Sequence, residues 1–237
     1  VSVKLGVLGS TGRTGSWVQT LLAKEYAGKA ELAATAHKNQ DLSAFSKCDV
    51  VIDFSTIEAS LALARELEKH ATPPALVIGT TGWKIDERRE LEALGAKTPV
   101  LMGSNFSTGV LAMLHVLRQS TPLLEKLGYT PVIVERHHKH KKDSPSGTAI
   151  SFQRAISPAG PGNVQTHSIR AGEVIGDHEA TFHGPGDHMT FGHFAQDRSI
   201  FARGAIEAAL WLAGHRSGAS PLRGLISVDT FFKERYL

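Results

Sequence analysis

Residues 3–15 read VKLGVLGSTGRTG. Val3 to Leu8 has the aliphatic, partly β-branched composition of a buried strand, and it runs directly into glycines at 9, 12 and 15. Ser16 to Tyr26 then carries the period of an amphipathic helix. Strand, glycine turn and helix in that order open a dinucleotide-binding α/β fold. The glycines let a pyrophosphate approach the backbone, and the helix N-terminus supplies free N–H groups and partial positive charge. The spacing is GxxGxxG, with Thr11 where the usual fingerprint has its middle glycine. Glycine turns also close ordinary strand–helix junctions, so the turn by itself does not decide the fold.

The strand–helix alternation then repeats, and the repetition does decide it. Glu31–Ala36 reads as a second strand, Asp49–Phe54 as a third and Ala75–Ile78 as a fourth. Val100–Met102 is the fifth, and a helix from Ile57 to about His70 is capped by Ser55-Thr56. These strands open into small or hydroxyl residues, Gly79-Thr80-Thr81-Gly82 and Gly103-Ser104-Asn105-Phe106-Ser107, at the ends where open α/β sheets hold ligands. The second strand ends at His37-Lys38, about 20 residues past the glycines, where an NAD site usually places an acid for the ribose hydroxyls. A histidine and a lysine there suit the 2′-phosphate of NADPH instead, although surface charges at a strand exit are an equally ordinary reading of Lys38. NADPH is the preferred cofactor on this reading.

The second decisive stretch is residues 132–149, VIVERHHKHKKDSPSGTA. Val132–Val134 reads as a buried strand, the next eight residues hold three histidines, three lysines and an arginine, and Ser144-Pro145-Ser146-Gly147-Thr148-Ala149 marks a helix start. A cationic turn beside a helix N-terminus is an anion site. His137 and Lys141 share a side whether the turn is extended or coiled. Imidazole suits a proton donor at neutral pH, and an ammonium suits a carboxylate or developing negative charge. A Lys/His run in isolation is more often a solvated loop; the PSGTA flank favours the site. His183, His188 and His193 recur every five residues, which matches neither a helical turn nor one strand face, so no metal site is expected. Without interleaved aromatics and with a net charge of +3, neither is a nucleic-acid surface.

The remainder completes two domains. Gly109–Thr121 reads as an apolar helix, residues 157–166 as a plain loop, and SIRAGEVIG, HEATFHG and PGDHMTFGHFA as strands, the last two joined by a GPGD hairpin turn. Arg203–His215 is a helix and Leu225–Thr230 a last strand. The expected architecture is a Rossmann-like doubly wound parallel sheet plus a smaller α+β domain with a mixed, largely antiparallel sheet. Its parts are 1–107 for the dinucleotide, 108–199 for substrate and oligomerisation, and 200–237 returning to the first domain. At 237 residues with one cysteine, no long apolar run and no signal-peptide layout, the chain reads as cytoplasmic and not membrane-bound. Cys48 precedes a strand and reads as a buried small residue, not a nucleophile.

The order of GSTGRTG, VIDFST, VIGTTG, SNFSTGV, ERHHKHKKDSPSGTA, RAGEVIGDH and ALWLAG resembles the dihydrodipicolinate reductase family over essentially the whole length. By matching position, the resemblance implies His137 as general acid, Lys141 as second catalytic residue, and His138, Gly147 and Thr148 as substrate contacts. It implies Gly9, Ser10, Thr11, Gly12, Arg13, Thr14, Gly79, Thr80, Thr81, Gly103, Ser104, Asn105 and Phe106 as cofactor contacts, with His37 and Lys38 added by the strand-end argument. It further implies a small dicarboxylate substrate, NADH or NADPH, a homotetramer built through the second-domain sheet, and a place in lysine and diaminopimelate biosynthesis. The chain departs from the family pattern at Thr11 and in lacking an acid at His37, both of which bear on cofactor choice. A non-catalytic NADPH-sensing protein on the same fold is the alternative, but it leaves the histidine–lysine stretch without a task.

Overall fold

The computed structural model describes residues 2–37, 40–157, 163–216 and 221–237. Lys38 lies outside the described residues, as do residues 158–162 of the expected loop. The described residues form two compact units, one of residues 1–106 and 198–237 and one of residues 107–197.

In the first unit a six-stranded parallel sheet runs in the order β10-β5-β4-β3-β1-β2. Its strands are β1 (Val3–Leu8), β2 (Ala30–Ala36), β3 (Val50–Asp53), β4 (Ala75–Ile78), β5 (Pro99–Met102) and β10 (Gly224–Ser227). The helices are α1 (Arg13–Lys24), α2 (Ile57–Glu68), α3 (Ile85–Gly95), α6 (Ser199–His215) and α7 (Val228–Tyr236). β3 and β4 are buried along their whole length, the pattern of parallel strands covered on both faces. One core layer joins Val18, Leu21 and Leu22 of α1 to Ala205, Ile206, Ala209 and Leu212 of α6; the other joins Leu63 and Leu67 of α2 to Leu91 and Leu94 of α3. Cys48 is buried in the second layer, and burial pushes its thiol up to about 11, too high for a thiolate nucleophile at neutral pH.

The second unit carries α4 (Thr108–Lys126), β6 (Thr130–His137), α5 (Gly147–Ile156), β7 (Gln165–Arg170), β8 (Asp177–His183) and β9 (His188–Phe194). The sheet order is β7-β6-β8-β9, with β6–β7 parallel and the other two pairs antiparallel. This is the mixed, largely antiparallel sheet that the sequence predicts. The GPGD turn closes the β8–β9 hairpin through Gly184 N donating to Asp187 O.

Several element limits differ from the sequence reading. α4 continues past Thr121 through Pro122 to Lys126. A helical proline forfeits one hydrogen bond, and the buried Thr121 and Leu124 on either side keep the helix packed. β7 starts at Gln165, inside the expected loop, and ends at Arg170, so Ala171–Gly176 forms a turn and not a strand. The last strand stops at Ser227, whose hydroxyl accepts from the backbone N–H groups of Asp229 and Thr230 and starts α7. α6 begins at Ser199, four residues before the expected start. Among the described residues no helix is long and apolar enough to cross a membrane.

Candidate active site

The first unit builds a ligand edge at the C-terminal ends of its parallel strands. β1 has β2 on one side and β3 on the other, so the chain reverses its winding there and leaves the crevice in which such sheets bind ligands. Gly9 turns the chain with φ +79°, and a Cβ on it would lie 2.4 Å from the carbonyl oxygen of Phe54. A Cβ on Gly15 would lie 2.2 Å from the oxygen of Gly9, so helix and turn touch only because both residues are glycine. Thr11 is exposed in the turn, which explains why a side chain is tolerated at that position. α1 begins after Gly12 with no side-chain cap and no acid in its first turn, leaving its N–H groups free for an anion.

A cleft of about 450 Å³ brings Arg13 and Thr14 together with Phe54, Ser55, Thr56 and Gly79, Thr80 and Thr81. Ser10 points elsewhere, its hydroxyl donating to Ala36 O at 3.2 Å. His37 follows β2, exposed, its backbone N–H bonded to Gln40 Oε1. Gly103, Ser104 and Asn105 follow β5, and the Phe106 ring is buried edge-on to Phe54, leaving its backbone as the part able to meet a ligand.

Beneath the cleft lies a residue that the sequence reading did not single out. Asp53 ends β3, 1% exposed, and its carboxylate accepts from Ser55 N and Oγ, Ser60 Oγ and Thr80 Oγ1. It ties together the loops after β3 and β4. Burial pushes it up to about 6 against the pull of those bonds.

The second site follows from sheet register in the other unit. Directly paired residues share a face, so Glu135 of β6 has Ser168 of β7 on one side and His178 of β8 on the other, with His193 of β9 beyond. His137, two residues along, pairs with Arg170. Glu135 is fully buried; its Oε2 lies against His137 Nδ1 and its Oε1 accepts from Arg170 Nη2 at 2.8 Å. Burial raises the Glu135 carboxyl, but bonds from Arg170 and Ser168 outweigh it and hold it below the ordinary range, as an anion. Arg170 Nη2 also donates to Asp143 O at 2.6 Å. The Asp143 carboxylate in turn holds Lys141 Nζ at 2.8 Å.

His137 is 7% exposed. Burial lowers its pKa, Glu135 raises it and Lys141 lowers it again, for a net fall that keeps the ring neutral near pH 7. His178 stands edge-on to it with ring centroids 5.0 Å apart. Burial and the neighbouring His137 push His178 down to about 3, so it is neutral and cannot serve as an acid. Its Nε2 is 3.1 Å from Ser146 Oγ, the same hydroxyl that caps α5 by accepting from Ala149 N. Ser107 repeats the device, capping α4 at Val110 N while meeting His193 Nε2 at 3.2 Å. Gly147 and Thr148 open α5 beside these groups, with no acid in the first turn. His138 is half-buried at the end of β6.

Glu135, His137 and His178 each offer a ligand atom, all within 4.8 Å of one another. Within this cluster the His137 ring nitrogen lies directly against Glu135 Oε2, and Arg170 already takes the other oxygen. The cluster reads as a proton site. The signal for it in the sequence was the alternation Ile133-Glu135-His137; the partners Arg170 and His178 depend on register that the sequence does not state.

An open parallel sheet with a glycine turn at its switch point, joined in one chain to a sheet bearing a buried histidine–carboxylate pair, defines an oxidoreductase of the dinucleotide-binding class, with a nicotinamide cofactor. Residues 3–106 match the family described as Dihydrodipicolinate reductase, N-terminus, and residues 109–226 match Dihydrodipicolinate reductase, C-terminus. The chain belongs to the dihydrodipicolinate reductase family. It is 34% identical to a 4-hydroxy-tetrahydrodipicolinate reductase of Zymomonas mobilis, covering 96% of this chain and 98% of the relative. For the protein of that name in Akkermansia muciniphila the identity is 33%, over 96% and 99%. The solved structure of a dipicolinate-bound dihydrodipicolinate reductase from Paenisporosarcina sp. TG-14 shares the fold with a TM-score of 0.76, at 19% identity, over 96% of this chain and 98% of that one.

Proposed function

We propose that the chain reduces 4-hydroxy-tetrahydrodipicolinate to tetrahydrodipicolinate with NADPH, in lysine and diaminopimelate biosynthesis: the 4-hydroxyl leaves as water to give the conjugated ring, hydride adds at ring C4, and His137 supplies the balancing proton to the enamine carbon C3. The observation that carries this reading is the grouping of His137, Lys141 and the acid-free start of α5: the Lys141 charge acts on His137, and His178, edge-on to His137, meets the Ser146 hydroxyl that caps α5. A ring with two carboxylates needs an ammonium and free N–H donors, and an electron-rich enamine needs a proton donor beside it.

A bound reduced nicotinamide supplies the hydride. The free N–H groups at the start of α1, with Arg13, suit its phosphates, and Thr80 and Thr81 line the same cleft. Lys141 and the α5 N-terminus hold the substrate carboxylates, with His138 alongside. The dianion raises the pKa that burial had lowered, so substrate binding charges the imidazole before it donates. The absence of an acid at His37 supports a preference for NADPH over NADH. Exposed Met189 and Phe194 on β9, an edge strand, support a homotetramer built through this sheet.

The test is an assay of nicotinamide absorbance with freshly generated substrate and either cofactor. His137→Gln should lower kcat by roughly 10² to 10⁴ with a smaller change in KM. Pyridine-2,6-dicarboxylate should inhibit competitively. An intact kcat removes His137 from the role, and equal efficiency with NADH removes the cofactor preference.

A further inference from the structure

We propose that Glu135 and Arg170 are positioning residues: the buried carboxylate, held by the guanidinium, takes the Nδ1 proton of His137 as its hydrogen bond and so fixes Nε2 as the nitrogen that donates to substrate. The proposal rests on the reading of His137 as proton donor and extends it to which atom acts and what orients it.

Three observations carry it. First, among the described residues Glu135 Oε2 and His137 Nδ1 are both buried and have no polar partner except each other. A buried carboxylate oxygen facing a ring nitrogen is satisfied only if that nitrogen carries a proton. The ring is therefore held as the Nδ1–H form when neutral. Second, Glu135 cannot turn away, because its other oxygen is fixed by Arg170, whose Nη2 also reaches Asp143 O. The clip thus joins the end of β6 to the loop whose Asp143 carboxylate holds Lys141. Third, the edge of the ring bearing Nε2 faces Gly176, where an added Cβ would stand 3.1 Å from that atom. The missing side chain keeps the approach to Nε2 clear.

The proton step balances with these groups alone. Charged His137 carries protons on both nitrogens, with Nδ1–H directed at Glu135. The Nε2 proton passes to the ring carbon, the N–H electron pair remains on Nε2 as a lone pair, and the enamine π pair becomes the new C–H bond. Solvent restores the Nε2 proton before the next turnover. The charged and titratable groups facing the imidazole are Glu135 on its own strand, Arg170 on β7, His178 on β8 and Lys141 in the following turn. Of these only the Glu135 carboxylate stabilises the charged ring, so its loss must move the titration of His137 downward.

The experiment uses the full chain with NADPH and compares Glu135→Gln, His137→Gln and the double variant. Glu135→Gln should lower kcat by about 10²-fold with KM changed less than about twofold, and should shift the His137 limb of the pH profile to lower pH. Added to His137→Gln, it should cost at most about a further twofold, since it acts through the imidazole. A Glu135→Gln enzyme with normal kcat and an unmoved pH profile, or one whose effect multiplies with that of His137→Gln, overturns the positioning role. An unimpaired His137→Gln enzyme instead overturns the reading beneath it. Should Glu135→Gln fail to fold, the unaltered protein labelled with 15N-histidine gives the answer at about pH 8. The neutral His137 ring should carry its proton on Nδ1, and an Nε2–H tautomer overturns the proposal.

Discussion

Replacing Asp53 by Asn isolates the cost of a buried charge. The carboxyl is 1% exposed and is raised from an ordinary value of 3.8 to about 6. At about 1.4 kcal/mol for each tenfold change, keeping Asp53 ionised in the folded protein costs about 3 kcal/mol. The sign comes from linkage. The folded state binds this proton more tightly than the unfolded chain, so its stabilising effect is complete below about pH 4 and is lost as pH rises through about 6. Asparagine fits the same bonds. Its oxygen can accept from Ser55 and Thr80, and its NH₂ can donate to Ser60 Oγ, whose own proton is then free for Thr56 O at 2.9 Å. Urea unfolding of both proteins at several pH values between about 4 and 8 reads the difference. The wild type should lose about 2.4 kcal/mol relative to Asp53→Asn across that interval, most of it below about pH 6.5. Stability curves that stay parallel over the whole interval would refute the argument, because the carboxyl would then titrate alike in folded and unfolded chains.

Gly9→Ala should destabilise the protein by about 3 kcal/mol or more and weaken binding of the nicotinamide cofactor, since φ +79° and a 2.4 Å approach to Phe54 O leave no room for a methyl group; thermal melting and cofactor titration test both. Ser146→Ala removes the α5 cap and the partner of buried His178 Nε2 and should cost about 2 kcal/mol in urea unfolding; Ser151→Ala, an exposed hydroxyl bonded to Gly147 O, should cost under about 0.5. Binding of pyridine-2,6-dicarboxylate near pH 7 should take up a proton, because His137 is neutral in the free protein and a dianion raises it. Calorimetry in buffers of different ionisation enthalpy would show no such uptake if the imidazole is remote from the ligand.

The parallel sheet was legible because its signals are local. Glycines at 9, 12 and 15 and apolar runs buried on both faces announce strand, turn and helix without reference to distant residues. The start of α5 was legible for the same reason, since Ser146 caps the helix from within its own motif. Glu135, Arg170 and His178 were not. Their meaning arises from pairing between strands more than 30 residues apart, and in the linear sequence Glu135 reads as the first polar residue after an apolar run. Asp53 was hidden differently: an acid ending a strand looks exposed until Ser60 and Thr80 close over it. Pro122 misled because one lost hydrogen bond is a smaller matter than the burial of the residues around it.

Division of the first unit by a contiguous second one sets an order for synthesis on the ribosome. All of the second unit has been synthesised once Asp197 is made, whereas the first unit, begun earlier, still lacks α6 and the edge strand β10. Until then the nascent sheet lacks the cover of Ala202, Ala205, Ile206, Ala209 and Leu212, and β5 has an unpaired edge. The segment translated first is therefore the last to become native, and a chain truncated near residue 200 and released from the ribosome would hold a complete second unit and an open, aggregation-prone first one.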